Sequence, residues 1–298
     1  MRAAIGNTPL VLLRRMPARG GARVAVKLEG ANPGGSVKDR AALTILRRAE
    51  RSGALRRGVR LLDASSGNTG IAYAMLCAER GYACEICVPG NAGTERLRLL
   101  RAYGANVVLT DPLEGSDGAI REAQRRAAEA PAGSVYYADQ YDNPANIAAH
   151  YYGTGREVWQ QTAGRVTHFV AIVGTSGTFV GTGRRLRASR DDVRLVEVQP
   201  DSPLHGIEGA KHMASAMVPG IYDSELADAR MQVTSEDAQA MAVRLAHEEG
   251  LLAGPSGGAN VAAALRVAAQ ADADALVVTL LPEDGARYLD EAWWKADR

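Results

Sequence analysis

Short apolar, β-branched runs alternate along the chain with longer stretches of helical period, the pattern of strand–helix units around a mostly parallel sheet. Candidate strands fall at 24–28, 60–64, 83–88, 106–109, 135–138, 169–173, 195–199 and 275–280, and helices fill most of the intervals. The stretch 39–51 carries Ala41, Ala42, Ile45, Leu46 and Ala49 on one helical face and meets Gly53 as a stop, which puts Lys38 at a helix start. A second helix, 236–249, is preceded by Thr234 with Asp237 three residues on, the spacing of a capping box, and is closed by Gly250. A third is expected at 262–269, after the turn Gly254-Pro-Ser-Gly-Gly258. The fold class is α/β.

Length sharpens this, because 298 residues exceed what one core usually serves, so one large two-lobed unit or two domains is expected. No repeat, low-complexity tract or long linker separates them. The crossing is expected near Asn143-Pro144. A formal charge of +1 gives no electrostatic case for nucleic acid or membrane as partners. The start lacks an apolar leader, no run of about 18 apolar residues occurs, and the only cysteines are Cys77, Cys84 and Cys87, so a reducing, cytoplasmic setting is expected.

Glycine clusters between strands and helices carry the chemistry, since such turns leave backbone N–H groups free at a helix N-terminus, where anions bind. Three stand out: Ser65-Ser-Gly-Asn-Thr-Gly70, Gly174-Thr-Ser-Gly-Thr178 and Gly254-Pro-Ser-Gly-Gly258. None has a mononucleotide or dinucleotide fingerprint. The second suits a phosphate monoester best: Gly174 and Gly177 allow close approach of the backbone, and Thr175, Ser176 and Thr178 add donors without charge.

Lys38 follows a Pro-Gly-Gly turn within Asn32-Pro-Gly-Gly-Ser-Val-Lys-Asp-Arg40. Most lysines are solvated surface groups. A cation at a helix N-terminus opposes the helix dipole, however, and a Schiff base would make use of it. Cys84 and Cys87, three apart on a strand, point to opposite faces and read as core residues. His150, His168, His205, His212 and His247 show no zinc-ligand spacing, so no metal is expected. Trp293-Trp294 reads as packing or a partner contact.

Taken in order, Gly6-Asn-Thr-Pro-Leu10, the Lys38 segment, the 65–70 loop, the 174–178 turn and Gly254-Pro-Ser-Gly resemble the cysteine synthase and cystathionine β-synthase family, closest to its cysteine synthase B-like members. Tyr103-Gly-Ala and Arg287-Tyr-Leu add landmarks. The resemblance implies fold type II pyridoxal-phosphate architecture: a small mobile domain at 39–145, and a large domain formed by 1–38 and 146–298. It implies pyridoxal 5'-phosphate carried by Lys38 and held at its phosphate by Gly174, Thr175, Ser176, Gly177 and Thr178. Asn68 would contact the cofactor's 3′ oxygen, and Ser256 would face its pyridine nitrogen. Ser65, Ser66, Thr69 and Gln140 would bind the substrate α-carboxylate. A hydroxyl facing the pyridine nitrogen cannot form an ion pair with a pyridinium, which favours prompt loss of a β-leaving group over transamination.

The implied activity is β-replacement, making L-cysteine or an S-substituted cysteine from O-acetylserine or O-phosphoserine and a sulfur nucleophile, in a homodimer. Sulfide, thiosulfate, homocysteine and the thiocarboxylate of a sulfur-carrier protein are the candidate acceptors. Three positions depart from the family's common pattern: Ser65 for threonine, Gly257 for a second serine or threonine, and Ala92 for methionine. Lys211 stands where some relatives place a basic residue, as a contact for a substrate phosphate or as a solvated lysine. The motif positions imply neither a haem-binding extension nor a regulatory domain. Competing readings are another fold type II reaction, such as serine or threonine dehydration, cystathionine β-synthesis or diaminopropionate synthesis, and a non-catalytic binding partner of serine acetyltransferase.

Overall fold

The computed structural model describes residues 2–65 and 67–295. Among the described residues, ten strands form two sheets. The larger runs, in spatial order, β1 (Leu10–Leu12), β2 (Arg23–Leu28), β10 (Leu276–Leu281), β7 (His168–Ile172), β8 (Arg194–Pro200) and β9 (Ala229–Val233). It is parallel except where β1 pairs antiparallel with β2. The smaller, wholly parallel sheet runs β5 (Asn106–Thr110), β4 (Cys84–Pro89), β3 (Arg60–Ala64) and β6 (Val135–Tyr137). Each sheet has cores of its own, one centred on Leu61, Ile71 and Ile86, another on Val170, Val198 and Val277.

Helices cover both sheets: α1 (Lys38–Ser52), α2 (Asn68–Arg80), α3 (Thr94–Ala102), α4 (Gly115–Glu129), α5 (Pro144–Ala149), α6 (Gly155–Gln161), α7 (Gly177–Ser189), α8 (Ser235–Arg244), α9 (Pro255–Ala268) and α10 (Ala292–Lys295). Helix α1 buries Ala41, Ala42, Ile45, Leu46 and Ala49, the face its spacing predicts. Full burial of Ile45 and Leu46 stabilises the fold by about 1.5–3 kcal/mol each. Gly53 ends the helix in a left-handed conformation at φ 76°, its N–H donating to the Glu50 carbonyl. Thr234 caps α8 by accepting from the Asp237 N–H at 3.0 Å, as its spacing predicts. Asn143 caps α5 at the expected crossing, and α5 packs against both α1 and α7.

Eight predicted strands lie within about a residue of those observed. Strands β1 and β9 were not predicted. Both are edge strands: β1 is an apolar run of only three residues, and β9 buries only Val233 of its five, so neither shows a strand-length apolar pattern. The helix expected at 262–269 begins at Pro255 instead. Helix α8 packs against Gly258, where a side chain would collide with the Ala238 carbonyl, and a side chain at Gly257 would press on Ala253 and Leu281. Helix α8 ends in a π-helical turn, Leu245–Glu249. Cys84 and Cys87 face opposite sides of β4, in different cores, and are buried free thiols. Among the described residues no helix is long and apolar enough to cross a membrane, and no group of acidic, histidine or cysteine side chains has metal-site geometry.

Candidate active site

The segments following β3, β7 and β10 meet around one cavity, at the strand carboxyl ends where open α/β folds bind ligands. A cavity of about 380 Å³ lies there, with Lys38, Ser65, Asn68, Thr69, Gln140, Gly174, Thr175 and Lys211 in its wall. A recess of about 40 Å³ shares Lys38, Asn68, Gly174 and Thr175 with it and adds Ser176, Thr178 and Ser256. Ser66 lies outside the described residues.

Lys38 opens α1, and burial pushes its pKa down while Glu283 opposes the shift. A lowered pKa leaves a larger share of the amine unprotonated, as a nucleophile or base requires. Two residues on, Arg40 anchors the helix in a buried charge cluster. Its guanidinium meets Glu29 at 2.7 and 2.9 Å and Glu157 at 2.6 and 2.8 Å, and Lys27 meets Glu157 at 2.8 Å.

Ser65 Oγ accepts from the N–H groups of Gly67 at 3.2 Å and Gly70 at 2.9 Å, holding the loop that opens α2. With its oxygen so engaged, the hydroxyl proton is left to donate, as an incoming carboxylate requires. Thr69 Oγ1 donates to Gln140 Oε1 at 2.7 Å, and Gln140 Nε2 donates to the Ala64 carbonyl at 2.5 Å. Beneath them Asp63 accepts from the Ala64 N–H at 2.8 Å and the Gln140 N–H at 3.2 Å, its carboxyl pushed up to about 7 by burial.

Ser176 caps α7 with φ 67°, a left-handed conformation unusual for a serine. Its Oγ is buried without a hydrogen-bond partner among the described residues, which costs about 1–3 kcal/mol unless an acceptor arrives. A phosphate at this helix terminus supplies one, so the residues present fit the phosphate of pyridoxal phosphate. The two glycines also serve packing. A side chain at Gly174 would collide with the Gly209 carbonyl, and one at Gly177 with Asn146 Oδ1. His150 lies behind this turn, its Nε2 3.3 Å from Thr178 Oγ1. Burial, reinforced by Arg40 and Lys38, keeps it neutral by lowering its pKa well below the usual range.

Several residues of the site were not visible as a pattern in the sequence. Asn68 Nδ2 donates to Glu283 Oε2 at 2.5 Å, and Asn68 Oδ1 accepts from Arg287. Tyr288 OH donates to Glu283 at 2.6 Å and accepts from Arg96 Nη2 at 2.8 Å, while Arg96 also pairs with Glu208. These partners lie up to 219 residues apart, as in Asn68 and Arg287, so no local spacing links them. The fragment Arg287-Tyr-Leu was the only sign. Lys211 is not solvated. It is 5% exposed, its Nζ donating to Asp117 Oδ1 at 2.8 Å and the Met217 carbonyl at 3.2 Å, over the Tyr141 ring.

The sequence matches the family described as "Pyridoxal-phosphate dependent enzyme" over residues 1–283. It is 44% identical to "Cysteine synthase" of Aquifex aeolicus (strain VF5), over 97% of this chain and 90% of that protein. It is 43% identical to "Cysteine synthase B" of Escherichia coli (strain K12), over 97% and 94%. The crystal structure of an O-ureido-L-serine synthase superposes with a TM-score of 0.92 at 39% identity, covering 99% of this chain and 95% of that one.

Proposed function

Because the chain belongs to the pyridoxal-phosphate-dependent enzyme family, in its cysteine synthase group, we propose that it catalyses β-replacement on an O-activated serine, as a transferase. The donor is O-acetylserine or O-phosphoserine and the acceptor a sulfur nucleophile, giving L-cysteine or an S-substituted cysteine. The observation that carries this reading is that Lys38 and Thr175 line both the cavity that holds the Ser65, Thr69 and Gln140 cluster and the adjoining recess at the α7 terminus, where the Ser176 hydroxyl has no partner among the described residues.

Pyridoxal phosphate supplies the electron sink that lets a bound amino acid lose its α-proton and then its β-substituent. Lys38 would carry the cofactor and, once released from it, its amine would be the base that takes the α-proton and the acid that returns it. Its lowered pKa supports both roles. Ser65, Ser66, Thr69 and Gln140 orient the α-carboxylate. Gly174, Thr175, Ser176, Gly177 and Thr178 would hold the phosphate, Asn68 would contact the cofactor's 3′ oxygen, and Ser256, in the first turn of α9, would face the pyridine nitrogen. Segment 39–145, closing as a small domain on 1–38 and 146–298, excludes water during the exchange. The protein works as a cytoplasmic homodimer.

The likeness to an O-ureido-L-serine synthase makes a non-sulfur nucleophile the second reading. Titration of the cofactor-loaded protein with each donor, followed by visible absorbance, decides. A spectral change with one donor that reverses on adding sulfide is expected. Absence of change with both donors sinks the β-replacement assignment, and a change that sulfide leaves in place favours the other nucleophile.

A further inference from the structure

We propose that Asn146 is a positioning residue that ties the substrate carboxylate site to the phosphate cradle through one buried amide. The inference rests on the reading above, in which Gln140 faces the carboxylate and Gly174–Thr178 the phosphate. Asn146 lies in α5 and is 2% exposed. Its Nδ2 donates to the Gln140 backbone carbonyl at 2.9 Å and to Thr175 Oγ1 at 3.1 Å. A backbone carbonyl can only accept, so this contact fixes which end of the amide is nitrogen.

For Thr175 the consequence is directional. Its oxygen accepts from Asn146, so its proton is free to donate to an anion in the cavity that Thr175 lines. For Gln140 the consequence is rigidity. Its carbonyl is held by Asn146, its N–H by Asp63, and its side chain by Thr69 and Ala64. The remaining end of the amide, Oδ1, occupies the space that a side chain on Gly177 would take, so that glycine gives Asn146 its room. Moving Asn146 therefore disturbs one donor to the phosphate and the main chain of one residue of the carboxylate site.

The test uses the full-length chain and compares equilibrium binding of pyridoxal phosphate with that of pyridoxal, which lacks the phosphate. Loss of one oriented hydrogen bond to an anion corresponds to roughly a tenfold loss of affinity. Asn146→Ala is expected to weaken pyridoxal phosphate by about that factor and pyridoxal by less than about twofold. It is expected to raise the donor KM more than it lowers kcat. Adding Thr175→Val should cost little further affinity, because Asn146 acts through that hydroxyl. Should Asn146→Ala fail to fold, Asn146→Ser, which keeps a single short donor, is expected to show the same selectivity at smaller size. Equal losses for both ligands, or none, would overturn the role of Asn146 where Thr175→Val alone weakens pyridoxal phosphate. If Thr175→Val leaves pyridoxal phosphate binding intact, the phosphate-cradle reading itself fails.

Discussion

Arg40→Met probes whether the buried charge cluster beneath α1 holds Lys38 in place. The substitution removes the guanidinium that meets Glu29 and Glu157 through four short contacts. Glu29, fully buried, keeps its hydrogen bonds from Thr8 and Asn32 at 2.8 Å but loses its cation, while Glu157 keeps Lys27. Breaking a buried pair by removing one partner costs about 3–5 kcal/mol. Glu157 gives an independent scale. Burial would raise its pKa, yet Arg40 and Lys27 hold it at about 2 against an ordinary 4.5, worth about 3 kcal/mol. A depressed carboxylate contributes stability above its unfolded pKa and loses it as pH falls towards the folded value, so the deficit is largest at neutral pH and narrows below about 4.5. Thermal melts at fixed cofactor concentration should show a drop of about 6–10 °C at pH 7. Adding Glu29→Gln, which removes the stranded charge, should recover much of it. A drop under about 2 °C, or one independent of pH, would refute the reasoning.

Lys38→Ala should abolish both turnover and the visible absorbance of lysine-bound cofactor, and a variant retaining full activity would sink the central assignment. In Asp63, burial raises the carboxyl to about 7, so ionisation costs the fold stability as pH rises from the unfolded value near 3.8 through 7. Melts from pH 4 to 8 should find Asp63→Asn gaining on the parent across that window, by at most about 4 kcal/mol, and a difference constant in pH would contradict this. Lys211→Ala should slow the O-phosphoserine reaction about tenfold more than the O-acetylserine reaction, because only the phosphate competes with Asp117 for the ammonium. Equal effects in steady-state kinetics would remove that role.

Regular elements were legible because apolar period survives burial. Helix α1 could be read to within a residue at each end, since its buried face and its glycine stop agree. Strand β9 could not, because three of its five residues are exposed. The start of α9 was misread because two adjacent glycines look like a loop when the reason for Gly258, the α8 backbone pressed against it, is more than a dozen residues away. Lys38 and the 174–178 turn were legible because turn chemistry is local. The Arg96, Glu283 and Tyr288 network and Asn146 were not, because their meaning lies in partners that only the fold brings together. Lys211 shows the same limit: its sequence context is silent about Asp117, which decides its burial.

The strand order of the larger sheet carries a consequence for how the chain is made. Strand β10 sits between β2 and β7, in register with residues some 250 positions earlier, whereas the smaller sheet is complete by Tyr137. A ribosome extends a chain at about 5–20 residues per second, so the smaller sheet has its full complement of strands at least several seconds before the larger one can close. During that interval β2 and β7 expose edges that β10 will later cover, and unpaired strand edges are what aggregation exploits. A chain halted before Leu276 would therefore carry the carboxylate loop but lack the middle of the larger sheet, and also Glu283, which seats Asn68.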